Sequence, residues 1–349
     1  MKKYKVIGIM SGTSCDGLDI TYCEFYKNKI WNYKITHCET IRYDKILIKK
    51  ISKKFSHINE ELLSLDKYFG VFIGEQIVSF IKKHKVNVDL ICSHGHTVIH
   101  NPNKKITFQI GCGKKINSIT EIKTVSNFRV QDVELGGQGA PLVPVGDHLL
   151  FNKYKYCLNL GGFANISEKN KSNIIGYDIC PCNIILNFYA QKLGFEFDDK
   201  GSLASKGKIN KSLLRKLNNL KYYHTKGPKS LDVSWVKNNF SPILHRYKID
   251  PKDKLATITK HIAVQIAKCV KNQKTIISGG GAFNENLIKI LIEESNSKII
   301  IPNKKIINYK ESMIFGLLGV LKIRNEINCY KSVTGAIKNS VVGVINYDL

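Results

Sequence analysis

Arginine is scarce in this 349-residue chain: of 54 basic residues only five are arginine, Arg42, Arg129, Arg215, Arg246 and Arg324. Proteins that read bases and phosphate backbones favour the bidentate guanidinium fork. The formal charge of +26 is therefore not the footprint of a nucleic-acid binder. The lysines come in scattered pairs such as Lys49-Lys50, Lys53-Lys54 and Lys82-Lys83, the pattern of a solvated surface. Long apolar runs are also missing. Segments such as Lys5–Met10 fall far short of the roughly 20 residues a bilayer span needs, so no membrane partner is expected. The opening Met1-Lys2-Lys3-Tyr4-Lys5 runs straight into a strand-like segment with no signal-peptide core, so the expected location is the cytoplasm. The ten cysteines read as reduced, mostly buried thiols. Cys180-Pro181-Cys182 has neither a second pair nor a histidine cluster near it, which argues against zinc. A composition of 43% hydrophobic and 23% charged residues excludes a disordered or coiled-coil chain.

What is present is a repeated scheme. Tyr4–Met10 reads as a buried strand, and Leu18–Tyr26 and Ile30–Ile41 alternate with period two around a break at Lys27-Asn28-Lys29. The first forty residues thus predict a three-stranded meander. Asn59 followed by Glu60-Glu61 signals the start of a long helix running to about Lys85, and Val88–Ile99 returns to strand. The second half repeats the opening: Tyr156–Leu160, a strand from Asn165 to Ser167, and Ile174–Asp178, then a helix over Asn183–Leu193. Leu255–Asn272 follows as helix and Thr275–Ser278 as strand. This is a duplicated α/β architecture with a cleft between the halves, divided as residues 1–135 and 136–349, with the C-terminal tail free to return to the first half. The glycines of Gly136-Gly137-Gln138-Gly139 mark the expected hinge.

Three strand-borne glycine turns carry the chemistry. The first is Met10-Ser11-Gly12-Thr13-Ser14-Cys15-Asp16-Gly17-Leu18-Asp19. Its glycines admit a close ligand, and Gly-Thr-Ser offers N–H and hydroxyl donors to phosphate. Asp16 and Asp19 would repel phosphate unless a divalent cation lies between, which fits Mg²⁺·nucleotide. The alternative is an ordinary hairpin turn. Leu158-Asn159-Leu160-Gly161-Gly162-Phe163-Ala164-Asn165 and Ile277-Ser278-Gly279-Gly280-Gly281-Ala282-Phe283-Asn284 are the other two. Three such turns in one chain favour a nucleotide site. His94 and His96, either side of Gly95, lack further metal ligands nearby and read as structural or pocket-lining.

With Ser93-His94-Gly95-His96-Thr97-Val98, Phe128-Arg129-Val130-Gln131-Asp132, Gly136–Pro144, Gly176-Tyr177-Asp178 and Glu311-Ser312-Met313-Ile314-Phe315, these motifs closely resemble the anhydro-N-acetylmuramic acid kinases, in order from about residue 6 to about 320. The resemblance implies a cytoplasmic sugar kinase of the actin/hexokinase/Hsp70 superfamily. Its fold would be two ribonuclease-H-like domains around an ATP cleft. It implies conversion of 1,6-anhydro-N-acetylmuramic acid and water to N-acetylmuramic acid 6-phosphate, a step of murein recycling, with ATP as co-substrate, Mg²⁺, and a homodimer. Residue by residue, Gly12, Thr13, Ser14, Cys15, Asp16, Gly17, Leu18 and Asp19 would form the phosphate loop, with Asp16 nearest the metal. Gly161, Gly162, Gly279, Gly280, Gly281 and Asn284 would complete the nucleotide site. Asp178 would be the general base, and Thr97, Arg129 and Glu311 would line the sugar pocket.

Each assignment has a plainer alternative. Arg129 could pair with Asp132 on the surface, Asp178 could cap the helix at Asn183, and Glu311 could be first-turn helix charge. The chain also departs from the family pattern. Ile179-Cys180-Pro181-Cys182-Asn183 stands where Thr-Gly-Pro-Gly/Ala-Asn is usual, His96 replaces Gln, and Asn127 replaces Asp. Asp198-Asp199-Lys200-Gly201 varies an Asp-x-[Asp/Asn]-Gly. Two alternatives follow: a related sugar kinase of altered substrate, or a nucleotide-binding protein whose sugar site has decayed.

Overall fold

The apolar run after Lys3 becomes the middle of a sheet because its residues are buried on both faces. In the computed structural model, which describes residues 2–12, 15, 17–170, 173–225 and 229–347, it is β1 (Lys3–Ser11). β2 (Gly17–Lys27) and β3 (Trp31–Arg42) continue it as an antiparallel meander. On its other side β1 pairs in parallel with β4 (Leu90–Asn101), and β4 in parallel with β6 (Thr124–Ser126). β5 (Ile106–Ile110) folds back antiparallel on the far end of β4. The C-terminal strand Val344–Asn346 closes the edge against β6.

The chain divides into two units, Met1–Asn152 with Tyr309–Leu349, and Lys153–Asn308. In the first, the helix Glu60–His84 starts where the sequence signals it: the Asn59 side chain accepts from the Leu62 amide at 2.9 Å. Its apolar stripe of Leu62, Phe69, Ile73, Ile77 and Phe80 buries against Ile7, Ile9, Leu18, Ile20 and Ile91. The helix Lys304–Ile323 crosses β1 so closely, within the part belonging to this unit, that a Cβ on Gly8 would strike the Ser312 carbonyl. That close approach sets the depth of Glu311.

The second unit repeats the plan. β7 (Tyr156–Leu160), β8 (Phe163–Lys169) and β9 (Ile174–Pro181) form an antiparallel meander. β10 (Thr275–Ser278) and β11 (Ile299–Ile300) add in parallel on the far side of β7. The order β11-β10-β7-β8-β9 matches the meander and parallel strands of the first sheet. This is the duplicated ribonuclease-H-like α/β arrangement expected from the sequence. The helix Pro251–Cys269 begins four residues earlier than expected, because Asp250 accepts from the Lys252 amide at 2.7 Å with Pro251 at the first position. It covers the sheet with Leu255, Ile258, Ile262 and Ile266, packed in one core with Leu158, Ile166 and Ile277.

The segment expected as a hinge is held in place. Asp132, fully buried, accepts from the Gly139 amide at 2.8 Å and the Thr334 hydroxyl at 2.7 Å, with the Cys329 thiol 3.0 Å away. The Gln138 amide donates to the Thr334 carbonyl at 2.8 Å. Gly137 and Gly139 serve close packing here: a Cβ on Gly137 would strike the Asp132 carboxylate, and one on Gly139 would press on Val133.

Candidate active site

In the first unit the phosphate-loop expectation falls between β1 and β2. Thr13, Ser14 and Asp16 lie outside the described residues. Of the rest, the Cys15 amide donates to the Gly12 carbonyl at 3.2 Å, and Gly17 opens β2. Leu18 is a core side chain, so it offers a ligand only its main chain. Asp19 is half-buried and accepts from the Thr40 hydroxyl at 2.6 Å. His96 reaches the loop from β4: its Nδ1 lies 3.1 Å from Ser11 Oγ, which in turn accepts from the Tyr43 hydroxyl at 2.7 Å. Burial holds His96 below the usual histidine pKa, against a bond to the Gly12 main chain.

Arg129 lies beside His94, not Asp132. Its Nε donates to His94 Nε2 at 2.9 Å and its Nη1 to the Gly139 carbonyl at 3.2 Å. His94 Nδ1 is 2.9 Å from the Gly95 carbonyl, so its proton sits on Nδ1 and Nε2 is free to accept. Burial, with the Arg129 charge adding to it, keeps His94 well below its ordinary pKa. Burial pushes the Arg129 guanidinium down to about 10, while Glu311 pulls the other way. Glu311 is raised by burial and lowered by Lys310 and Arg129. It lies well inside the helix Lys304–Ile323, so it is not first-turn charge. Arg129, His94 and Glu311 form one electrostatic cluster. Thr97 stands on β4 opposite Gln109 of β5.

In the second unit the glycine turns converge. The Asn183 side chain donates to the Leu160 carbonyl at 3.0 Å, its amide donates to the Gly161 carbonyl at 3.1 Å, and the Cys182 amide donates to the Gly162 carbonyl at 2.9 Å. Gly279 has φ 82, and a Cβ there would meet Asn159 Oδ1 at 2.5 Å and the Leu160 carbonyl carbon at 2.8 Å. Gly280 and Gly281 line a cavity of about 290 Å³ with Asn183, Asn187 and Asn284. A larger cavity of about 920 Å³, bordered by Phe283, Ile288, Ile292, Ile301 and Ile307, shares Asp199, Lys200 and Phe283 with it. Asn284 also caps the next helix, accepting from the Leu287 amide at 2.9 Å.

Asp178 lies on β9 and does not cap the helix Asn183–Gln191, whose N-cap is Cys182. Its Oδ2 accepts from the Leu231 amide at 2.9 Å. Its main chain is held on both sides, the amide donating to the Lys229 carbonyl at 3.0 Å and the carbonyl accepting from the Tyr222 hydroxyl at 2.6 Å. Burial raises its pKa, and the Leu231 amide opposes that shift. Strand register sets Ser278, Asn159, Asn165 and Asp178 side by side across β10, β7, β8 and β9. Paired residues share a sheet face, so this is a polar row beside the Gly161-Gly162 turn. Asn159 and Asn165 were not singled out from the sequence, although asparagines interrupting apolar strand runs were the available signal.

The departures from the family pattern find ordinary explanations. Cys180 and Cys182 are buried, and Cys182 sits at φ −127, so a side chain there causes no backbone strain. Asn127 adopts φ 56, a left-handed conformation that Asn and Asp both tolerate. Among the described residues no three His, Cys, Asp or Glu side chains gather to hold a metal, and no helix is long and apolar enough to cross a membrane.

Comparison with known proteins agrees with these motifs. The family profile described as anhydro-N-acetylmuramic acid kinase matches residues 4–348. An anhydro-N-acetylmuramic acid kinase of Coxiella burnetii is 32% identical, over 99% of this chain and 98% of that one. One from Clostridioides difficile is 34% identical over 96% of each. Among solved structures, xylulose kinase of Lactobacillus acidophilus aligns over 91% of this chain and 89% of its own at 11% identity, with a TM-score of 0.47. The chain belongs to the anhydro-N-acetylmuramic acid kinase family and is a kinase.

Proposed function

We propose that this kinase uses ATP and water to convert 1,6-anhydro-N-acetylmuramic acid to N-acetylmuramic acid 6-phosphate, with Asp178 as the general base. The observation that carries the reading is the state of Asp178. It is a half-buried carboxylate on a polar strand row, its Oδ2 held by the Leu231 amide and its main chain by the Lys229 carbonyl and the Tyr222 hydroxyl, in a setting that raises its proton affinity. A base so placed takes a proton from water as the water attacks C1 of the anhydro ring. The C1–O6 bond breaks, and the freed O6 receives the γ-phosphoryl group of ATP, leaving ADP. Phosphoryl transfer needs chiefly positioning and charge neutralisation.

The Gly12–Asp19 loop supplies main-chain and hydroxyl donors to phosphate in this reading. Gly161, Gly162 and Gly279 to Gly281 let the nucleotide approach the second unit closely. The apolar cavity beside Phe283 and Ile288 suits a nucleotide base. Mg²⁺ keeps most of its waters and needs only one or two protein carboxylates beside substrate phosphates, so Asp16 with the nucleotide fits it without a protein-only cluster. Mg²⁺ would neutralise charge on the phosphates. Arg129 pairs with the lactyl carboxylate of the sugar, beside Thr97 and Glu311. The setting is the cytoplasm, and the assembly a homodimer.

The test is direct. Purified protein with ATP, Mg²⁺ and the anhydro sugar is expected to yield the 6-phosphate and ADP in equal amounts. ATP binding without sugar phosphorylation at high enzyme concentration would overturn it and favour a decayed sugar site.

A further inference from the structure

Gln109 is 7% exposed, and its Oε1 has no hydrogen-bond partner among the described residues. A buried amide oxygen left without a donor is costly and rare in folded proteins. The other end of the amide is fixed, with Nε2 donating to Thr107 Oγ1 at 2.8 Å. Thr107 Oγ1 lies 3.0 Å from His100 Nδ1. Turning the amide over would only exchange which atom is left bare, since Thr107 serves one end alone. The strain-free remedy is a donor that arrives from outside the chain.

The location says what that donor belongs to. Gln109 pairs with Thr97 across β4 and β5, so the two side chains share a sheet face. The helix Val130–Glu134, whose N-cap residue is Arg129, packs on β5. Partial burial and the Arg129 charge both hold His100 below its usual pKa, so the guanidinium acts on the same row. We propose that Gln109 is a specificity-determining residue for the sugar, its Oε1 accepting a hydrogen bond from a neutral donor on the substrate. This rests on the sugar-kinase reading above. Chemistry narrows the donor to two groups. In a 1,6-anhydro-muramic acid O1 and O6 are locked in the bridge and O3 carries the lactyl ether, which leaves the acetamido N–H and the C4 hydroxyl. An amide oxygen would also repel the lactyl carboxylate, leaving that group to Arg129.

The experiment compares wild type with Gln109→Met, which keeps length and loses both polar atoms. Three substrates are used: the anhydro sugar, its 4-deoxy analogue and its N-methylacetamido analogue. In wild type one analogue is expected to lose roughly 10- to 100-fold in kcat/KM. Gln109→Met is expected to lose a similar factor on the parent sugar, with no further loss on that analogue and with KM for ATP within about twofold. The analogue arm needs no folded variant: both analogues turned over like the parent sugar would overturn the proposal. So would a folded Gln109→Met with parent kcat/KM intact, or losses that simply multiply. Wild type inactive on the anhydro sugar overturns the sugar-kinase reading, and this one with it. Wild type active with Gln109→Met unaffected overturns this one alone.

Discussion

At the scale of single residues, Arg129 shows how a sparing sequence uses its cations. The chain spends lysine freely on its surface and places one of five arginines against His94 and the Gly139 carbonyl. Even pushed down to about 10 by burial, the guanidinium stays charged at neutral pH, and the neutral His94 orients it. A guanidinium can hold these two acceptors and still present an edge to a carboxylate, whereas an ammonium is a point donor. Arg129→Lys is therefore expected to raise KM for the anhydro sugar by about 10- to 100-fold and leave KM for ATP unchanged. Steady-state kinetics with each substrate varied in turn would show this, and an unchanged sugar KM would count against the assignment. Arg129 stood out in the sequence through scarcity and motif. Its partner was not. Asp132 lies three residues away and looked available, but its carboxylate is consumed by the nearby Gly139 amide and by the Thr334 hydroxyl, which distant chain brings to it.

At the scale of elements, turns and caps were the easiest features to read, because their chemistry is local. Asn59 caps its helix as the sequence signals, and each glycine turn follows a strand as expected. What spacing alone could not give is which turns meet. Gly279 is tied to the Leu160 turn by a contact across 119 residues of chain that only the parallel pairing of β10 with β7 creates. Gly279→Ala would add a Cβ at φ 82 against Asn159 Oδ1 and Leu160. The expected cost is about 1–3 kcal/mol, seen as a lower melting temperature and a raised KM for ATP. A variant with wild-type melting and nucleotide affinity would show that the turn yields without cost.

At the scale of the whole molecule, the duplication was legible because both halves open with a meander of alternating strands. The order of the parallel strands was not, since short strands such as Thr124–Ser126 and Ile299–Ile300 carry too few residues to show a period. The closing strand Val344–Asn346 joins the first sheet across more than 200 residues, a pairing fixed by tertiary packing. The central claim is that this kinase activates water through Asp178. Burial raises the Asp178 pKa, and a base works only when ionised, so wild-type kcat/KM should fall as pH drops through a value above the ordinary carboxylate pKa of about 3.9. The most direct measurement is kcat of Asp178→Asn on the anhydro sugar, with ATP affinity measured alongside. Asn keeps the shape and an oxygen for the Leu231 amide but cannot take the proton. The account predicts a fall of about 10²- to 10⁴-fold, loss of that acid limb, and ATP affinity barely changed. Near-normal turnover by Asp178→Asn would contradict it.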